Sequence, residues 1–139
     1  MRAADLDDAM GELNTRLGIA IVDWTPERVV ATMPVEGNRQ PYGVLHGGAS
    51  CALAEAVGST AAALNAGPEQ YPVGVDINAT HHRSVTAGTV TAVGTPLHVG
   101  RSTATFLIEI TDEENRRVCS ARITCLYRDN RPAVPKHGA

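Results

Sequence analysis

Glu55 is the only charged residue between Gly47 and Pro68, a stretch composed mainly of alanine, glycine, serine and small aliphatic residues. An isolated carboxylate in apolar surroundings is costly unless a partner stabilises it, so its presence needs a cause. Carboxylates in such settings act as nucleophiles or as general bases. Glu55 is therefore the first candidate catalytic residue. The alternative interpretation places it on a solvent-exposed stripe of a helix.

Two consecutive glycines, Gly47 and Gly48, follow His46 where a long helix is predicted to begin. We expect both backbone N–H groups to be free at the positive end of that helix. Such donors stabilise an oxygen that gains negative charge, as in an oxyanion hole. The amide of Gln40 and the ring of His46 strengthen this interpretation. A glycine-rich helix start without a ligand is the alternative.

Eight residues separate Gly47 from Glu55, which corresponds to about 12 Å along a helix axis. The two groups are then too far apart to touch one reacting carbon. A two-fold dimer with its long helices packed antiparallel would bring Gly47 of one subunit toward Glu55 of the other. The sequence therefore predicts a homo-oligomer whose sites lie at a subunit interface.

The elements that position these residues follow from hydrophobic spacing. An amphipathic helix is predicted over Asp5–Leu17, followed by strands at Ile19–Trp24 and Arg28–Met33. The polar segment Glu36–Tyr42 contains residues that disfavour regular structure and is expected to form a functional loop. A long helix is predicted over Gly47–Ala66. Period-two alternation predicts four further strands, at Tyr71–Thr80, Thr89–Thr95, Ala104–Ile110 and Cys119–Tyr127.

This order predicts an α+β fold in which an antiparallel sheet curls around one long central helix. The small residues of the helix would let it approach a sheet closely or pack against a symmetry mate. A membrane-spanning helix is the competing interpretation, opposed by the small side chains and the central carboxylate. One domain over residues 1–128 and a flexible C-terminal tail over 129–139 are expected.

Composition and charge narrow the function classes. The chain has 139 residues, a formal net charge of -3 and a sequence pI of about 5.9, so no basic surplus is available for a nucleic-acid partner. Met1–Gly18 lacks the pattern of a secretory signal, which favours a cytoplasmic protein without a membrane partner. The three cysteines form no CxxC motif and are expected to be buried, unpaired residues: Cys51, Cys119 and Cys125.

Cationic and hydroxyl side chains cluster where strands are predicted to end. They suit the phosphates and adenosine of a nucleotide-bearing carrier, although ordinary solvated strand ends are the alternative. His81 and His82 are adjacent on a strand and point to opposite faces, so no metal site is predicted. The donors are Arg83, Ser84, His98, Gly100, Arg101 and Ser102.

Three segments together resemble one known family. Gln40–Ala49, with Glu55 eight residues after Gly47, resembles the hotdog-fold acyl-CoA thioesterases of the phenylacetate-degradation (PaaI-like) type, as do Ile77–Ser84 and Pro96–Gly100. Within this family, the sequence is similar to the 1,4-dihydroxy-2-naphthoyl-CoA thioesterases and to the Arthrobacter-type 4-hydroxybenzoyl-CoA thioesterases. The resemblance implies hydrolysis of an aromatic or medium-sized acyl-CoA by a dimer of dimers. It implies no cofactor, since coenzyme A is part of the substrate.

The resemblance also assigns roles to individual residues. Glu55 would be the nucleophile or general base, while the Gly47 N–H, assisted by Gln40, would polarise the thioester carbonyl. His46 would shape the loop, and Ser59 would position water or the carboxylate. His82 stands where relatives usually carry an apolar residue. The acyl pocket is assigned to His81, and the CoA contacts to Gly74, His82, Arg83, Ser84, His98, Val99, Gly100, Arg101, Ser102 and Thr103.

Two other functions fit parts of this pattern. A hotdog hydratase or dehydratase also uses a carboxylate near a glycine-led helix, with a histidine such as His46 paired to the acid. A non-catalytic acyl-CoA-binding protein would keep the fold and lose the reaction.

Overall fold

A computed structural model describes residues 10–133 of the chain. Six strands form one fully antiparallel sheet in the order β1-β2-β4-β5-β6-β3. The elements in chain order are α1 (Gly11–Leu17), β1 (Ala20–Thr25), β2 (Arg28–Pro34), α2 (Gly47–Asn65), β3 (Tyr71–His81), β4 (Thr89–Val99), β5 (Thr103–Thr111) and β6 (Arg117–Arg128).

The predicted helices and strands are present, with small differences at their ends. Residues 5–9 of the predicted N-terminal helix lie outside the described residues, and α1 begins at Gly11. Gly18 ends α1 in the left-handed conformation, with its N–H donated to the carbonyls of Asn14 and Thr15. β4 continues to Val99, four residues beyond the predicted strand, because the sheet ladder with β5 continues there.

The core lies between α2 and one face of the sheet, as the alternating sequence pattern predicted. In β5, alternate residues are fully buried while their neighbours are only partly buried. β6 repeats this pattern on the adjacent strand. The buried residues of the two strands are Ala104, Phe106, Ile108, Ile110, Cys119, Ala121, Ile123, Cys125 and Tyr127. The expected α+β sheet around one helix is therefore confirmed.

Glycines bring α2 close to the sheet. A Cβ placed on Gly58 would lie 2.0 Å from Ile123 Cγ2, and one on Gly94 of β4 would lie 2.5 Å from Val57 Cγ1. Ordinary van der Waals contacts begin near 3.4 Å, so neither position has room for a side chain. The small residues on this face of α2 thus serve packing against the sheet of the same chain.

The C-terminal end of α2 is fixed by hydrogen bonds from two side chains. The buried Tyr127 hydroxyl donates to the Ala62 carbonyl at 2.9 Å. Asn65 Nδ2 donates to the carbonyls of Pro26 and Ala61, each at 2.8 Å. The last four carbonyls of a helix lack partners within it, so the Tyr127 hydroxyl satisfies the Ala62 carbonyl, and Asn65 links the helix end to the turn before β2.

β3 is an edge strand that pairs with β6 along only one side. Its side chains remain largely exposed in the single chain, including the apolar Val73, Val75 and Ile77. The pairing with β6 shifts between Gly74 and Asp76, which marks a β-bulge at Val75. An exposed apolar edge of this length is a template for pairing with another strand.

Two expectations concern segments away from the sheet. Within residues 10–133, no helix is long and apolar enough to cross a membrane. Of the predicted C-terminal tail, residues 134–139 lie outside the described part of the chain. The Arg131 N–H donates to the Glu69 carbonyl at 3.2 Å, so the segment that follows β6 contacts the loop before β3.

Candidate active site

The start of α2 is capped by its own histidine. His46 has an extended backbone (φ -65°, ψ 129°), and its ring Nδ1 accepts the Gly48 N–H at 2.8 Å. The expectation that Gly48 presents a free N–H is therefore wrong, because the side chain of the capping residue occupies that donor. An accepting Nδ1 carries no proton, which places the proton of the neutral ring on Nε2.

The backbone N–H of Gly47 is not engaged by the His46 cap. Its N–H has no hydrogen-bond acceptor among residues 10–133. A Cβ on Gly47 would lie 2.9 Å from His81 Nε2, so the imidazole at the end of β3 lies directly over the helix start. Helix polarity adds positive potential at this N–H. Gly47 and His81 thus form the first polar centre of the site, which we name the amide centre.

The loop before α2 holds Gln40 in a tight turn. The Gln40 N–H donates to the Val44 carbonyl at 2.8 Å, and the Gly43 N–H donates to the Gln40 carbonyl at 3.0 Å. The Gln40 side-chain oxygen accepts the Tyr42 N–H. Its Nε2 group makes no hydrogen bond within residues 10–133 and remains available as a donor.

Asn38, a residue that sequence analysis did not single out, anchors this loop. Its Nδ2 donates to the Leu17 carbonyl at 2.7 Å and the Pro34 carbonyl at 2.8 Å. Its own carbonyl accepts the His46 N–H at 2.8 Å. Asn38 is buried. Two hydrogen bonds from its side-chain amide and one to its backbone carbonyl fix where the loop enters α2. In the sequence, the only signal for this role is a polar residue within a predicted loop.

Glu55 lies two turns into α2 and is partly buried in the single chain. Its Oε1 is 2.6 Å from the position that a Cβ on Gly74 would occupy. Gly74 pairs with Cys125 across the β3–β6 ladder. Burial raises the pKa of the Cys125 thiol to about 11, and the charge of Glu55 acts in the same direction. We name Glu55, Gly74 and Cys125 the carboxylate centre, in which the thiol stays protonated at neutral pH.

The two centres lie apart in one chain. Gly47 and Glu55 are separated by about 12 Å along α2, and their strand neighbours His81 and Gly74 lie seven residues apart on β3. The donor and the carboxylate therefore face two different positions along the same edge strand. Within one chain, the amide centre and the carboxylate centre therefore do not meet.

Comparison with known proteins assigns the family. A sequence profile of the thioesterase superfamily matches residues 42–119, which include Gly47, Glu55, Gly74 and His81. The chain belongs to the thioesterase superfamily. A Deinococcus radiodurans protein with an esterase designation is 53% identical over 116 residues, covering 83% of this chain and 73% of that protein. The proofreading thioesterase EntH of Cronobacter turicensis is 44% identical, covering 84% of this chain and 85% of the relative.

Solved structures agree with this assignment. Thioesterase HI1161 of Haemophilus influenzae superposes with a TM-score of 0.88 at 38% identity, covering 99% of this chain and 96% of that chain. A mutant of thioesterase PA1618 of Pseudomonas aeruginosa gives 0.87 at 34% identity, covering 93% and 95%. The fold is thus the hotdog fold, and the protein is a thioester hydrolase, as the resemblance implied.

The expected CoA-binding residues of this thioesterase form two groups at opposite ends of the sheet. Arg83 and Ser84 follow β3 near Val118, where the Arg83 N–H donates to the Val118 carbonyl. The second group surrounds the β4–β5 turn, near the first residues of β3. Eight residue steps along β5, about 27 Å, separate the two ends. The second group comprises His98, Val99, Gly100, Arg101, Ser102 and Thr103.

Three further candidates have defined positions. His82 Nε2 lies 3.0 Å from the Ser120 hydroxyl, so its ring contacts β6. His81 lies at the amide centre instead, which confirms that the two histidines face opposite sides. Ser59 follows Glu55 by one helical turn and is partly buried, and its hydroxyl makes no hydrogen bond within the described residues. Residues 10–133 contain no cluster of three histidine, cysteine or acidic side chains that could hold a metal.

Of the predicted unpaired cysteines, Cys119 and Cys125 are buried as expected. Cys51 is partly exposed, which differs from the prediction, because it lies on a side of α2 that the sheet of this chain leaves partly uncovered. All three are free thiols. The position of Cys125 opposite Gly74 was not predictable from spacing, since it depends on the β3–β6 register.

Proposed function

We propose that this thioesterase hydrolyses an acyl-CoA with an aromatic or medium-sized acyl group, and that Glu55 and the Gly47 N–H carry the reaction. The observation behind this proposal is the pairing of an unengaged N–H at the helix start with a carboxylate at the same sheet edge. The first stabilises negative charge on a carbonyl oxygen, and the second supplies a nucleophile or a base.

Two routes use these groups. In the nucleophilic route, Glu55 attacks the thioester carbon, the tetrahedral intermediate expels the CoA thiolate, and water hydrolyses the resulting anhydride. In the general-base route, Glu55 takes a proton from water as the water oxygen attacks the same carbon. The tetrahedral intermediate then expels the CoA thiolate, which takes up the proton. Both routes place negative charge on the carbonyl oxygen, where the Gly47 N–H and the Gln40 amide donate. Ser59 positions the water or the carboxylate.

The site is proposed to form between two subunits. If two β3 edges pair antiparallel about a centre near Ile77 and Asn78, His81 of one subunit lies close to the partner's Gly74. The amide centre of each chain then meets the carboxylate centre of the other. The same pairing covers the exposed apolar edge of β3. It also brings Arg83 and Ser84 of one subunit to the same end of the interface as the β4–β5 turn of the other subunit, and a dimer of dimers can follow from it.

Glu55→Gln tests the role of the carboxylate. We expect kcat for release of free CoA thiol to fall by about 10³-fold or more, because the amide can neither attack nor accept the proton. Glu69→Gln is the matched control, since this exposed acid lies in the loop before β3. Near-normal hydrolysis of every aryl-, phenylacetyl- and straight-chain CoA ester by Glu55→Gln would refute the proposal. Loss of the enoyl absorbance of crotonyl-CoA without thiol release would indicate a hydratase instead.

Gly47→Pro tests the backbone donor. Proline is tolerated at the first position of a helix, and the extended His46 suits the residue before proline. Gly47→Ala is the matched control, because both variants add a Cβ against His81 while only proline lacks the N–H. We expect proline to reduce kcat about 10²-fold below alanine, as for removal of one oxyanion donor.

Mixed dimers test whether the site spans two subunits. Coexpression of Gly47→Pro with Glu55→Gln gives mixed dimers in which one of the two sites keeps both wild-type groups. With random assembly, activity should recover to about a quarter of the wild-type value, since half of the dimers are mixed and each has one intact site. If both groups acted within one chain, no mixed dimer would contain an intact site, and activity would not recover.

A further inference from the structure

Gly74 has no backbone reason to be glycine. Its φ is outside the left-handed region, so an L residue could adopt the same backbone. The space above it is the constraint. A Cβ would lie 2.6 Å from Glu55 Oε1, 3.7 Å from Glu55 Cδ and 4.0 Å from Ile123 Cδ1. The carboxylate oxygen is therefore the only one of these atoms that a methyl group would displace.

We infer that Gly74 is a positioning residue whose missing side chain determines where the Glu55 carboxylate lies. This inference rests on the proposed function. An alanine Cβ would need the oxygen to move by about 0.8 Å to reach ordinary contact, and displacements near 1 Å at a reacting group cost about 10²-fold in rate. The helix backbone cannot supply this shift without disturbing its packing on the sheet, so the Glu55 side chain must rotate.

The neighbouring structure limits where the carboxylate could go. Gly74 lies immediately before the bulge at Val75, and Cys125 lies opposite it on β6. The raised pKa of that thiol keeps it neutral beside the acid. The Glu55 carboxylate thus lies against Gly74 of β3, and moving the carboxylate away from Gly74 relieves the contact.

Gly74→Ala separates positioning from binding of CoA, the role that resemblance assigns to this residue. If Gly74 positions Glu55, kcat should fall by about 10- to 100-fold while KM changes by less than about 3-fold. Gly67→Ala is the matched control, because its Cβ would also meet the end of a flexible side chain, Gln70 Oε1 at 3.1 Å, away from the Glu55 carboxylate. A raised KM with unchanged kcat, or no change at all, would overturn the inference.

Glu55→Asp provides the second arm. The shorter side chain withdraws the carboxylate from Gly74, so Gly74→Ala should cost at least 5-fold less in the Glu55→Asp background than in the wild type. Equal losses in both backgrounds would overturn the inference. If Gly74→Ala does not fold, folding of the double variant would support it, and failure of both would refute it.

The two proposals can fail separately. If Glu55→Gln keeps its activity, the proposed function is wrong, whatever Gly74→Ala does. If Glu55→Gln is inactive and Gly74→Ala is as fast as the wild type, the function stands and the positioning role is refuted.

Discussion

Gly58→Ala tests how tightly α2 packs on the sheet. Gly58 lies three residues after Glu55, and a Cβ there would lie 2.0 Å from Ile123 Cγ2 and 3.2 Å from Ile123 Cβ. Both Gly58 and Ile123 are buried, so the added methyl has no route to solvent. The helix must move away from β6 by at least 1 Å, or Ile123 must leave its rotamer.

Two opposing terms set the expected magnitude. Alanine is more favourable than glycine inside a helix by about 0.5–1 kcal/mol. Overpacking a well-filled core costs about 1–3 kcal/mol, and a contact this short belongs at the upper end of that range. We therefore expect the free energy of unfolding to fall by about 2 kcal/mol. For a chain of this size, that loss lowers Tm by about 4–8 °C.

Denaturant unfolding monitored by circular dichroism measures this difference, at one fixed protein concentration because assembly contributes to stability. Two backgrounds isolate the contact. Ile123→Val keeps the Cγ2 methyl, whereas Ile123→Leu removes the branch at Cβ. Gly58→Ala should cost less in the leucine background than in the valine background. Equal costs in both, or a Gly58→Ala protein at least as stable as the wild type, would refute the close packing.

Three further predictions concern the cap and the thiols. His46→Ala should lower the free energy of unfolding by about 1 kcal/mol because Gly48 loses its acceptor, and His46→Asn should restore most of it; an unchanged thermal transition in His46→Ala would contradict the cap. At pH 8, iodoacetamide should modify the partly exposed Cys51 before Cys119 and Cys125, since burial raises the pKa of both to about 11, assisted by the Cys51 and Glu55 charges respectively. Peptide mass spectrometry measures this order. The unfolded chain begins to release the Cys119 and Cys125 thiol protons near pH 9, whereas the native state keeps them until about pH 11. The free energy of unfolding should therefore fall from pH 9 toward 11.

Local patterns predicted the elements because their periods are set by the side chains themselves. Alternation in β5 and β6 identified the buried face, and the long helix ends at Asn65, one residue before the predicted end. Each of these features depends on neighbours within a few residues. They could be predicted without knowing which strands lie side by side.

The strand order could not be predicted in the same way. β3 follows α2 in the chain and pairs with β6, the last strand, through contacts that span dozens of residues. The alternation of apolar and polar residues shows which side chains share a face of the sheet, but it does not identify the partner strand. The pairing of Gly74 with Cys125 and the separation of the expected CoA-binding residues into two groups both follow from that order. The free Gly48 N–H was mispredicted for a local reason, since His46 can turn its ring back onto the helix.

Three glycines show that a composition rich in small residues does not reveal whether a given glycine serves core packing or the candidate site. At Gly58 the missing side chain makes room for Ile123, at Gly47 for the His81 ring, and at Gly74 for the Glu55 carboxylate. The first is a core contact within one chain, and the other two lie at the exposed β3 edge. The small residues around Glu55 therefore serve two purposes. Gly58 allows α2 to pack closely on the sheet, whereas Gly47 and Gly74 make room for the two polar centres along β3.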